Sequence, residues 1–185
     1  DKDSDAVNRP EKLTIGKTIS VKQGWIIYGV LVVLSIISGG LSIHSNILPL
    51  VMVIAMNLAL LLYSVKLKQF AFIGNVAVAS IISIVPAYTL LYEIPTVLYY
   101  VEEGSTAFAN KIAIQEKLNG FTFFFMEMAF FINLIREVVK DIIDVEGDKS
   151  VQLRTLPIVF SERKIAYFSS FLCGAMSFLV WFHPI

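Results

Sequence analysis

Two acidic stretches near opposite ends of the chain hold the residue types best suited to chemistry. The first is Asp1-Lys-Asp-Ser-Asp5, followed by Asn8-Arg9-Pro10. The second runs Arg136-Glu137-Val-Val-Lys140-Asp141-Ile-Ile-Asp144-Val-Glu-Gly147-Asp148. In a helix Asp1 and Asp5 fall one turn apart on one face, and Glu137, Asp141, Asp144 and Asp148 share another. Gly147 is expected to let the chain turn. Like charges one turn apart destabilise a helix by about 0.2–0.5 kcal/mol per pair, so their repetition calls for a reason. A solvated juxtamembrane surface, neutralised by interleaved Lys and Arg, is one. Paired divalent-cation sites are the other, because magnesium takes one or two carboxylates together with waters and substrate phosphates. On that reading Asp1, Asp5, Asp141, Asp144 and Asp148 are the catalytic metal ligands for Mg2+, and a diphosphate bridges two such sites. Without the cation, carboxylates and diphosphate would repel.

Basic residues divide in the same way. In Tyr63-Ser64-Val-Lys66-Leu-Lys68 the lysines read either as anchors at a helix end or as phosphate-binding charges, with the Tyr63 hydroxyl as a further donor. Arg9 and Arg154 carry guanidinium forks that match phosphate oxygens. Glu127 interrupts an apolar run, where an ionisable group is either functional or bonded to a neighbouring helix. Asn57 and Asn75 suit inter-helix hydrogen bonds, and Asn8, Asn75 and Glu127 are candidate pocket residues. His44 and His183 lack ligand spacing, and no phosphate loop, dinucleotide fingerprint or Ser-His-Asp order is present.

The elements that position these residues are membrane spans. The 185 residues are 56% hydrophobic and 16% charged, with zero formal net charge and a mean hydropathy of +0.73. Soluble domains run nearer 45–50% apolar and about 25% charged, and a disordered chain would be poor in apolar residues. One cysteine excludes a disulfide framework, and the balanced charge gives no footprint for nucleic acid. A spanning helix needs about 20 largely apolar residues. Five runs qualify: 23–41, 47–65, 69–92 with a kink expected at Pro86, 118–135, and 165–181. They lack the period-2 alternation of barrel strands. The expected fold is therefore an all-α membrane protein, a multi-span helical bundle forming one domain over residues 1–185. Parity places thirteen Lys and Arg on one face, against Lys111 and Lys117 on the other. The positive-inside rule then assigns the thirteen-charge face, which carries both acidic stretches, to the cytoplasmic side of the cell (inner) membrane. The 93–117 loop is expected to be a partly ordered connection on the other side. A first residue that is not Met, and an end directly after an apolar run, read as an internal piece of a longer chain.

Three motifs in this order resemble the UbiA superfamily of intramembrane prenyltransferases: Asp1-xxx-Asp5 with Asn8-Arg9-Pro10; Tyr63-Ser-x-x-Leu67-Lys68 with Gly74-Asn75; and Lys140-Asp-Ile-x-Asp-x-Glu-Gly-Asp148 with Thr155-Leu-Pro157. In motif style they are most similar to geranylgeranylglycerol-phosphate geranylgeranyltransferases. The resemblance implies a nine-helix bundle of which this chain supplies helices three to seven. It also implies Mg-dependent transfer of a prenyl group, geranylgeranyl on the motif style, from a prenyl diphosphate to a lipid acceptor, geranylgeranylglyceryl phosphate. Arg9, Tyr63, Lys66, Lys68 and Arg154 would hold the diphosphate. The alternatives are an aromatic quinone precursor as acceptor, of the 4-hydroxybenzoate or dihydroxynaphthoate type, or a non-catalytic membrane transport or interaction protein. Leu13-Thr14-Ile15-Gly16-Lys17 and Val151 depart from the family pattern, and they bear on the acceptor.

Overall fold

The computed structural model describes residues 2–41, 43, 47–91 and 105–182, with side chains of the last segment described from Asn110. Asp1, His44, His183, Glu93, Glu102 and Glu103 lie outside the described residues. Eight named helices follow in order: α1 (Lys2–Asn8), α2 (Val21–Leu41), α3 (Leu48–Val65), α4 (Ile73–Ser83), α5 (Ser105–Ile143), α6 (Val145–Ser150), α7 (Leu156–Phe160) and α8 (Glu162–Phe182). Five segments are long and apolar enough to cross a membrane: Val21–Leu41, Leu48–Gln69, Ile73–Leu91, Asn110–Ile143 and Glu162–Phe182. The protein is an integral membrane protein with an all-α bundle.

The spanning helices pack in sequence order, α2 on α3, α3 on α4 and α4 on α5, and α5 also packs on α8. Much of their surface carries exposed large apolar side chains, among them Trp25, Leu31, Leu58 and Phe171. In lipid such a surface is not a liability. The tightest core lies where α4, α5, α7 and α8 meet, around Ala79, Leu134, Val138, Leu156, Ile165 and Leu172. Ala79 and Val138 are fully buried. Asp141 follows Val138 by less than one turn, so the second acidic stretch emerges directly from this core.

Sequence and structure differ at particular points. Pro49 opens α3 in the first turn, where a missing N–H is harmless. The third span breaks at Ile84, two residues before Pro86, and resumes over 85–91. The ring displaces the backbone just upstream of itself. The fourth span is much longer than 118–135: α5 runs 39 residues, about 58 Å at 1.5 Å per residue. That is nearly twice a 30 Å hydrocarbon core. It therefore takes in 105–117, which the apolar run alone left as loop, and carries the acidic stretch to Ile143.

Gly147 does not turn the chain, as its sequence position suggested. It lies inside α6, and the chain turns after it at 151–154. Its role is contact: an added Cβ would lie 2.3 Å from Asn8 Nδ2 and 2.5 Å from the Ser4 carbonyl oxygen. Only a residue without a side chain lets α1 press onto α6. Gly147→Ala is expected to destabilise the protein by roughly 1–3 kcal/mol through overpacking. Gly174→Ala, with nothing within 4 Å, is expected to cause no such loss. Thermal midpoints of the two variants in detergent check this.

Candidate functional site

The site is built where α1 lies across α6. At about 100° per residue, Ser4 and Asn8 of α1 form one stripe, and that stripe faces the second acidic stretch. The Ser4 hydroxyl donates to Asp148 Oδ1 at 2.9 Å. The Asn8 amide bonds in both directions. Its Nδ2 donates to the Asp144 carbonyl at 3.0 Å and to Ser4 Oγ at 3.3 Å, and its Oδ1 accepts from the Gly147 N–H at 2.7 Å. Arg9 adds an ion pair to Asp144 Oδ1 at 2.9 Å. Two segments 135–144 residues apart are thus joined by four side-chain contacts at one end of the bundle.

The carboxylates differ in surroundings. Asp144 and Asp148 are buried, at 8% and 7% exposure, while Asp5 is exposed. Asp144 also ends α5 with a non-helical backbone (φ −94°, ψ 8°), which turns the acidic run from α5 into α6. Asp141 accepts from Asn75 Nδ2 of α4 at 2.9 Å, and Glu137 pairs with Arg136. Burial pushes the Asp148 carboxyl above its usual value; the Ser4 hydrogen bond opposes this and the neighbouring Asp144 charge adds to it. Thr155 is buried beside Asp148, and its hydroxyl favours the charged carboxylate there.

The basic candidates gather at the same end. Tyr63 sits half-buried in the last turn of α3, with Glu137, Asp141 and Arg136 as charged neighbours. Lys66 ends that helix and is exposed, and Lys68 lies in the 3-10 turn Leu67–Gln69. Gly74 keeps this turn tight, since a Cβ there would sit 3.0 Å from the Leu67 carbonyl oxygen. A backbone bridge from Phe70 to Arg154 ties the turn to the segment after α6. A cavity of about 550 Å³ opens between α1, the 13–20 loop and the end of α3, lined by Arg9 and Lys68 with Lys2, Lys12, Asp5 and Thr14. Lys2, Lys12 and Ser4 were not singled out from sequence, and Thr155 only as part of the third motif; the four-residue spacing of Ser4 and Asn8 alone hinted at a shared polar stripe. Glu127 stands apart, exposed on α5 and 14 residues before Asp141, about 21 Å along the helix.

Among the described residues no three acidic or histidine side chains converge on one point. Asp141, Asp144 and Asp148 are engaged by Asn75, Arg9 and Ser4. An all-protein cage is therefore not formed by these residues. The donors are nevertheless all oxygens, and the Thr155 hydroxyl adjoins Asp148. That set fits a hard dication that completes its shell with water and phosphate, with Asp144 and Asp148 as the described carboxylates at the seam.

The model of the UbiA prenyltransferase family matches residues 1–185. Among curated proteins, the digeranylgeranylglyceryl phosphate synthase of Thermococcus gammatolerans is 34% identical over 128 residues, covering 69% of this chain and 38% of that protein. Proteins of the same name from Thermococcus kodakarensis and Methanosphaera stadtmanae are 29% and 30% identical over the whole chain, covering 57% and 60% of their own lengths. The chain thus spans roughly two to three fifths of these relatives. No solved structure matches it.

Asp148→Asn keeps an oxygen for the Ser4 hydrogen bond and removes a buried charge. Because the folded state holds the Asp148 proton more tightly than the unfolded chain, metal-free stability of the native protein falls as pH rises from the ordinary value of 3.8 through the raised one. The variant is therefore expected to be at least as stable as the native protein at pH 7 without divalent ions. This advantage should vanish below pH 4. Melting in chelator at both pH values checks the sign.

Proposed function

The chain belongs to the UbiA prenyltransferase family, and we propose that it forms the catalytic core of a Mg2+-dependent membrane prenyltransferase. The donor is a prenyl diphosphate, geranylgeranyl by analogy with the relatives' names, and the acceptor is the hydroxyl of a glyceryl phosphate lipid. The bond between prenyl C1 and the diphosphate oxygen breaks, and diphosphate leaves with the electron pair. The acceptor oxygen bonds to C1, and its proton passes to the departing diphosphate. The observation that carries this reading is the seam of Ser4 and Asn8 on Asp148, Asp144 and Gly147, which brings both acidic segments to one place.

Each part of the chain has a task in this reading. Asp5, Asp144 and Asp148 hold the dication, with Asp1 and Asp141 completing the acidic set. A bound dication supplies Lewis-acid charge where the diphosphate departs. Arg9 fixes Asp144, and Ser4 fixes the rotamer of Asp148. Lys66, Lys68 and Arg154 supply preorganised positive charge toward the leaving oxygens, and the Tyr63 hydroxyl donates there as well. The apolar cluster beneath Asp141 keeps water from the reacting carbon. A largely apolar pocket of about 380 Å³ lies between α2, α3 and the 85–91 segment, lined by Val53, Met56, Leu60, Val85 and Tyr88. Leu60 and Val53 stand 6 and 13 residues before Lys66, about 9 and 20 Å deeper along α3, a depth that suits an isoprenoid tail entering from the charged end. The charge count over the faces supports a cytoplasmic site in the inner membrane. An ion-pathway reading finds less support, because Glu127 is exposed on α5 and far from the acids that cluster at one end.

The test uses the full-length protein in membranes with radiolabelled prenyl diphosphate. Asp144→Ala and Asp148→Ala are each expected to lower diphosphate release by on the order of 100-fold or more, with the folded fraction unchanged. Chelation of divalent ions is expected to abolish release in the native protein, and magnesium to restore it. Full activity of both variants, or release that is indifferent to chelator, would contradict the proposal.

A further inference from the structure

The 550 Å³ cavity raises a question that the acidic seam does not answer, because among the described residues its lining includes neither Asp144 nor Asp148. Its cations are Lys2, Arg9, Lys12 and Lys68, against the single carboxylate of Asp5. On α1 Lys2 and Asp5 lie beside the Ser4–Asn8 stripe that faces α6, and Arg9 follows directly after the helix. Among the described residues Lys2 and Lys12 make no hydrogen bond to the acidic seam of Asp144 and Asp148, so the seam gives them no task.

The cavity is shaped for one. Gly16 has φ +94°, and a Cβ there would lie 2.6 Å from Lys2 Cε, so the 13–20 loop rests directly on the Lys2 stem. The loop is held by its own backbone: the Thr14 carbonyl accepts from the Thr18 and Ile19 N–H groups at 2.9 and 3.0 Å. The Lys2 stem is thus braced by the loop at a cavity that Lys12 and Thr14 also line. Arg9 links this space to the acidic seam, because it lines the cavity and pairs with Asp144.

We infer that this cavity binds a phosphomonoester dianion, the phosphate of the acceptor lipid, through Lys2 and Lys12, and so selects a phosphorylated acceptor. The inference rests on the proposed transfer reaction and adds to it. In a glyceryl phosphate the phosphate and the reacting hydroxyl are on neighbouring carbons, so the phosphate has to sit next to the donor diphosphate and apart from it. A cavity joined to the metal-binding acids only through Asp5 and Arg9 meets that requirement. Lys2 and Lys12 together match the two charges of a dianion better than the single charge of an aromatic carboxylate.

The test measures transfer by the full-length protein to a phosphorylated glyceryl ether and to the corresponding dephosphorylated alcohol. Lys2→Gln and Lys12→Gln are expected to raise KM for the phosphorylated acceptor on the order of tenfold or more, the worth of a charge-assisted hydrogen bond. KM for the alcohol and KM for the donor should move less than about twofold, and Lys12→Arg should restore the native value. Inorganic phosphate should compete with the phosphorylated acceptor in the native protein and lose that effect in the variants. Varying the fraction of anionic lipid separates a bulk headgroup from the acceptor: competition by such lipid, with no preference for the phosphorylated acceptor, would overturn the inference. So would an equal rise for the alcohol, a rise in donor KM, or no change at all. A native protein that transfers to neither acceptor would instead refute the proposed reaction itself.

Discussion

The structure depends on one close approach, that of α1 to α6 over Gly147. At six residues α6 is well below the length at which isolated helices persist in water, and α1 lies against it. They hold one another through the Asn8 amide, which satisfies a backbone donor and a backbone acceptor of the partner segment. Those groups would be costly to leave unpaired in a buried seam. The contact requires a bare Cα at Gly147, and it sets where Asp144 and Asp148 point.

The same contact explains why the site is charged and partly buried at once. Asp148 is 7% exposed, with a hydroxyl bond from Ser4 and the Thr155 hydroxyl close by. Burying a carboxylate without a cation beside it lowers stability, so the protein holds at this place a group that destabilises the empty fold. Perturbed carboxylates of this kind are characteristic of working sites. The core of Ala79, Leu134 and Val138 directly beneath gives the strained end a rigid floor.

Much of this was legible in the residues. The five spans, the shared face of the two acidic stretches and the basic turn at Lys66–Lys68 follow from apolar length and charge placement, both of which are local properties. The length of α5 was not legible, because residues 105–117 are polar enough to read as loop, and a helix projecting beyond the membrane needs no apolar face. Gly147 was misread for a related reason: a glycine after a helical acidic run looks the same whether it turns the chain or admits another helix. The parts played by Ser4, Thr155 and Lys2 were hidden because each depends on a partner far along the chain. Glu127 shows the reverse, a conspicuous residue by local context that the fold leaves exposed and remote from the acids.

The most direct test of the central claim is a distance across the seam in the full-length protein in lipid. Cys173 is replaced and spin labels are placed at the exposed positions Asp3 and Lys149, one on α1 and one on α6. Double electron–electron resonance should show a single narrow, short-range population that broadens when Asn8→Ala is added. A long or broad distribution, indifferent to Asn8, would mean that the two acidic segments do not meet, and the account of the site would fail with it.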